Sequence, residues 1–103
     1  MLNQVTITAV STGNTGTAAV SATANMRILG YCVRESSGTP ALANLTIRHG
    51  ATNSDTVLAP ITLLASTSLV AWFGPQGIPV PSGIYVDRTT GNSTVSLYTA
   101  IDN

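Results

Sequence analysis

The chain reads as a series of short stretches in which apolar and hydroxyl residues alternate, and this period of two limits what it can fold into. Val5 to Val10 runs Val-Thr-Ile-Thr-Ala-Val, Leu45 to Arg48 runs Leu-Thr-Ile-Arg, and Thr94 to Ile101 sets Val95, Leu97, Thr99 and Ile101 on one face. Successive side chains on a strand point to opposite faces, so each stretch reads as a half-buried β-strand. Met26 to Arg34 is apolar on both faces. It is expected at the centre of a sheet, covered on both sides. Further strands are expected over Thr56–Leu64, Leu69–Phe73 and Ile84–Arg88. Ile78-Pro79-Val80-Pro81 is extended, because the residue before each proline is pushed out of the helical region.

Turn signals separate these stretches roughly every 8–12 residues, the spacing of an antiparallel sandwich or barrel. Loops are expected at Ser11–Gly16, Glu35–Pro40, Ala51–Asp55 and Gly74–Gly77. Gly91-Asn92, within Thr89–Ser93, predicts a hairpin turn. Pro60 lies inside a strand and lacks an N–H, which asks for an edge position or a bulge. The competing reading of this region is one helix from Pro60 to Phe73, with Pro60 as its first residue. Its β-branched and Ser/Thr content favours strands. Thr17 to Ala24 contains only small residues and reads as an edge strand or part of an N-terminal arm. The sum is an all-β chain of seven or eight short strands, folded as one antiparallel β-sandwich.

Charge is nearly absent. Asp, Glu and Arg make up 8% of 103 residues, the formal charge is +0, and there is no Lys. An average soluble domain carries roughly 25% charged residues. A coiled coil and a nucleic-acid binder are both disfavoured, the second for want of a basic surplus. Disorder is disfavoured as well, since hydrophobic residues reach 44%. The N-terminal residues show neither a basic region nor an apolar run, and no stretch approaches the ~18 apolar residues of a membrane span. Synthesis and folding in a cytoplasm, with no membrane partner, are therefore expected. Weak self-repulsion suits a subunit held permanently in an assembly.

Constellations that carry chemistry are scarce. Cys32 is the only cysteine, so no intrachain disulfide can form; in an apolar run it reads as a small buried hydrophobe. Cys32, His49 and Asp55 would be the only nucleophile set, and a mid-strand thiol is poorly placed for that work. Neither zinc nor calcium finds its ligand pattern, and no pair among Glu35, Asp55, Asp87 and Asp102 stands out by spacing. No enzyme activity, metal or cofactor is expected. Trp72 and Phe73 are adjacent, so one must face the core and the other needs cover from a loop or a partner. Four Arg without Lys is a composition found at subunit interfaces. Arg34-Glu35 and Asp87-Arg88 stand where strands meet turns, either as surface pairs of little worth or as pairs across subunits. The candidate interface residues are Trp72, Phe73, Arg34, Glu35 and Arg88.

Met26-Arg27-Ile28-Leu29-Gly30-Tyr31-Cys32-Val33-Arg34-Glu35-Ser36-Ser37-Gly38, Leu45-Thr46-Ile47-Arg48-His49-Gly50, Trp72-Phe73-Gly74-Pro75-Gln76-Gly77-Ile78, Gly83-Ile84-Tyr85-Val86-Asp87 and Thr94-Val95-Ser96-Leu97-Tyr98 together resemble small virion proteins of tailed bacteriophages. The resemblance implies a compact, jelly-roll-like sandwich over residues 26–103, with residues 1–25 as an N-terminal arm or edge strands. It implies a virion structural protein, first of all a capsid decoration (cement) protein that binds the outer shell beside the major capsid protein. It further implies a homo-oligomer, with a trimer favoured, and location on the capsid surface after assembly in the host bacterium. A tail, baseplate or fibre component is the first alternative. A small carbohydrate-binding module using Trp72 and Tyr85 is the second.

Overall fold

The structure is a computed structural model that describes residues 4–13 and 16–102. Among them there is no helix. Nine strands run in chain order: β1 (Thr6–Gly13), β2 (Thr17–Val20), β3 (Met26–Glu35), β4 (Ala43–His49), β5 (Thr56–Leu63), β6 (Ser68–Trp72), β7 (Ile78–Pro79), β8 (Ile84–Thr90) and β9 (Ser93–Ile101). They form two antiparallel sheets. One has the order β1-β9-β3-β6, with β7 also paired to β3, and the other has the order β2-β8-β4-β5. With β7 set aside, the remaining eight strands have the order of a jelly roll, in which the chain repeatedly crosses from sheet to sheet.

The strand count is thus nine rather than seven or eight. The added strand, β7, is only two residues long and lies within the Ile78–Pro81 segment read as extended. Val80 continues it by donating its N–H to the Met26 carbonyl at 2.8 Å. Strands β5 and β6 occupy the region for which a helix was the competing reading. Pro60 lies on edge strand β5, close to a register shift between Ala59 and Val57. Strand β1 runs on to Gly13, where a loop was expected from Ser11; Asn14 and Thr15 of that loop, and Met1 to Asn3, lie outside the described residues. Strands β1 and β2 are edge strands, one in each sheet.

The turn at Gly91-Asn92 is a corner instead of a hairpin. Strand β8 pairs with β2 and β4, and β9 pairs with β1 and β3, so the chain changes sheets across two residues. Gly91 has φ +70°, and a Cβ there would collide with the Leu42 carbonyl oxygen. Local turn chemistry looks the same for a hairpin and a corner; the pairing partners of the flanking strands decide between them.

The core is the space between the sheets. Ile28, Val33, Val95 and Leu97 come from one inner face, and Leu45, Ile47, Ile84 and Val86 from the other. Each large side chain so buried stabilises the fold by about 1.5–3 kcal/mol. Leu97→Ala is expected to lower unfolding free energy by about 2–5 kcal/mol in chemical denaturation, because Leu97 is fully enclosed between both sheets.

Candidate interaction surface

Strand alternation and pairing place a set of side chains on the outer face of the five-stranded sheet. One row crosses it as Ile7, Tyr98, Gly30 and Trp72. The next runs Ala9, Ser96, Cys32 and Val70, and a third runs Thr94, Arg34 and Ser68. Ile7 and Val70 are each 66% exposed and Trp72 is 61% exposed. Gly30 has no side chain to fill the row; a Cβ there would meet the Ala71 carbonyl oxygen of β6. Close approach of β6 thus accounts for a glycine in the middle of the central strand.

Strand β3 is central, as its sequence predicts, but it is not covered on both sides by this chain. Leu29 sits at a bulge between Ile28 and Gly30 and is buried, with its side chain against Gly77 of the following loop. Beyond that loop the outer face is open. Cys32 accordingly lies half-buried on the outer face and not in the core. The pattern on β3 is apolar on both faces because one face meets the other sheet and the second is presented outward.

The outer face of the four-stranded sheet is different. Arg48 pairs with Asp87, Nε to Oδ2 at 3.4 Å, and donates from Nη1 to the Asp55 carbonyl at 2.8 Å. Thr62 Oγ1 donates to Asn44 Oδ1 at 2.9 Å across β5 and β4. These polar groups bond to partners within the chain. On the five-stranded sheet the charges on the outer side are Arg34, which is exposed, and Arg27, which pairs with Asp102 at 3.4 Å.

The residues singled out from sequence separate into outward and inward sets. Trp72 and Arg34 face outward on the same sheet. Phe73 turns inward, half-buried against the core, with its ring 5.9 Å from that of Tyr31 at 56°. Burial raises the Tyr31 pKa above the ordinary phenol value. Glu35 and Arg88 are both only 5% exposed. Asp87 is bonded to Arg48, and Glu35 accepts backbone N–H groups of Ser37 and Ser66, each at 2.7 Å. The Ser66 N–H leads these bonds in holding the Glu35 carboxyl below its usual pKa. Arg88 donates from Nη2 to Thr17 Oγ1 at 2.8 Å and from Nη1 to the Ser93 carbonyl at 3.3 Å. Burial lowers its pKa. Their place at strand ends singles them out in the sequence; their inward direction depends on strand register.

Glu35 also positions the surface. Ser66 has φ +60°, a left-handed conformation uncommon for a residue with a side chain, and it lies in the link into β6. The Glu35 carboxylate ties that link down, and the Glu35 N–H donates to the Thr67 carbonyl at 2.9 Å. Trp72 and Val70 are carried on the strand that follows.

Other candidates stay apart. Cys32 is on the five-stranded sheet, while His49 and Asp55 belong to the β4–β5 hairpin of the other. His49 Nε2 accepts the Ser82 N–H at 3.1 Å, and Asp55 Oδ2 accepts the N–H groups of Ala51 and Thr52 at 2.8 and 2.9 Å. The Ala51 N–H leads these in lowering the Asp55 pKa. Tyr85 is on β8, in the opposite sheet from Trp72, so the two aromatics do not form one platform. A cleft of about 160 Å³ between Asn25, Arg27, Pro79 and Asp102 contains the ion pair already described. Among the described residues no cluster of three His, Cys, Asp or Glu could hold a metal.

Comparison of the chain with protein families, with curated proteins and with solved structures finds no match.

Trp72→Ala removes a largely exposed side chain, so it is expected to change the unfolding free energy of the isolated subunit by less than about 1 kcal/mol, measured at high dilution. Arg88→Ala strips the bonds from Thr17 and Ser93 at a buried position, and a loss of about 1–3 kcal/mol is expected in the same measurement. The lowered pKa of Glu35 means that its stabilisation is complete above the unfolded value near 4.5 and is lost as pH falls through the lower folded value. Thermal melts from neutral to acid pH should therefore show a decline beginning near pH 4.5, and Glu35→Gln should flatten it.

Proposed function

We propose that this chain is a structural subunit of a tailed-bacteriophage virion, most directly a capsid decoration protein that binds the outer shell and stabilises it. The observation that carries the reading is the outer face of the five-stranded sheet. It presents Ile7, Tyr98, Val70 and Trp72 with little charge, on a chain of net charge +0. Contiguous apolar faces on small soluble domains mark interaction sites. Trp and Arg are the residue types enriched where such sites are tightest, and here Trp72 and Arg34 share one face. The jelly-roll order supports the same reading, since that architecture recurs in capsid proteins, although it also serves lectins and cupins. The sequence resemblance to small virion proteins is the further support.

In mechanism, the sandwich is a rigid block. Its polar four-stranded sheet stays in water, while the apolar sheet meets neighbouring virion subunits. Contacts of standard size bury about 1,600 Å² in total, and repetition over a shell sums many of them. The subunit is expected to work as a homo-oligomer and to perform no catalysis.

Copy number in the particle tests this. In virions purified from cells that carry the gene, quantitative mass spectrometry should find hundreds of copies per particle, and electron microscopy should place the density on the shell. Three, six or twelve copies would assign the chain to the tail or a fibre. Absence from the particle would overturn the virion reading.

A further inference from the structure

Among the described residues, β6 is the one sheet edge with no bulge, proline or charge anywhere along it; on β1 the bulge comes only at its end, after five regular pairs. Edge strands β1, β2 and β5 each carry an extra residue, at Val10–Gly13, Ala18–Val20 and Val57–Ala59, and β5 also carries Pro60. The short β7 carries Pro79. Bulges, proline and charge are the usual means of blocking an exposed edge. Strand β6, Ser68-Leu69-Val70-Ala71-Trp72, has no charge and no proline, and its register with β3 is unbroken from Gly30↔Trp72 to Arg34↔Ser68. Four of its five residues are exposed.

The direction of its backbone groups follows from two hydrogen bonds that flank the strand. The Thr67 carbonyl accepts from Glu35 N–H, and the Phe73 N–H donates to the Leu29 carbonyl, so the odd-numbered residues face β3. The N–H and C=O groups of Ser68, Val70 and Trp72 therefore face away from it, onto the open edge. Among the described residues nothing pairs with them.

We infer that β6 pairs antiparallel with β6 of a second copy of this chain, about a two-fold axis at Val70. Parity allows this register: Val70 meets Val70, and Ser68 meets Trp72 in both directions. All six outward groups are then bonded, and the two outer faces join into one continuous surface. Charge fits as well. Each copy is neutral overall. Arg34 is exposed, and it lies beside Ser68 in the same row. Across the seam that row continues to Trp72 of the second copy, over the small Ser68 side chain, which sets a guanidinium beside an indole face. The pairing does not depend on the virion reading, and it departs from the trimer expected from the sequence resemblance.

Sedimentation equilibrium of the full chain tests the inference. A dimer is expected, with the amides of Ser68, Val70 and Trp72 protected from hydrogen exchange. Val70→Lys should halve the mass and expose those amides while leaving the circular dichroism spectrum unchanged. Val70→Pro, which removes an N–H that β3 does not use, should do the same; if it fails to fold, Val70→Lys alone decides. Ile7→Lys, on the same face but at the far edge, should leave the dimer intact. A monomer or a trimer for the unaltered chain would overturn the proposal. So would a dimer broken by Ile7→Lys but not by Val70→Lys, which would point to face-to-face packing instead.

Discussion

Everything in this molecule depends on burying one side of each sheet against the other. Cys32 is the only cysteine, so no intrachain disulfide can form, and the buried apolar cluster of alternating Val, Ile and Leu positions stabilises the fold. Antiparallel pairing fixes their register, because a slip by one residue would turn every apolar side chain outward. The bulges at Leu29 on β3 and at the edge strands adjust twist without breaking that rule. Ile28, Ile47, Ile84 and Leu97 are sealed completely as a result.

The two outer faces then differ in kind. On the four-stranded sheet, Arg48, Asp87, Asn44 and Thr62 spend their hydrogen-bonding capacity on one another. On the five-stranded sheet the largest exposed groups, Ile7, Val70 and Trp72, are apolar and stand among small and polar side chains and the exposed Arg34. Glu35 connects the interior to this second face: its carboxylate sits below the end of β3 and fastens the link that leads into β6. A buried acid tied to backbone N–H groups is thus a positioning element for a surface strand, with its charge directed at the chain's own amides and not at a partner.

Much of the architecture was legible in the residues. Alternation located the strands, Pro60 called for an edge or a bulge, and the small residues of Thr17 to Ala24 suited an edge strand, of which Thr17–Val20 forms β2. What stayed hidden depends on long-range pairing. The Gly91-Asn92 turn could close a hairpin or turn a corner, and the partners of β8 and β9 lie far away in sequence. Arg88 and Glu35 looked like surface charges because charged residues usually are, yet register aims them inward, where Thr17, Ser93, Ser37 and Ser66 receive them. Cys32 looked buried because its neighbours are apolar; those neighbours alternate between the core and the outer face. For the surface itself, the Trp72-Phe73 pair did signal that one aromatic would face out, and the absence of charge in β6 was visible. Which aromatic, and that β6 is an edge, required the sheet order.

Trp72 is the only tryptophan of the chain, and it stands outside the core. Its emission is consequently blind to most of the sandwich interior and sensitive to whatever settles on that one sheet. The molecule carries its own optical reporter for contact, separate from the tyrosines, so that a blue shift on mixing would register docking without a label.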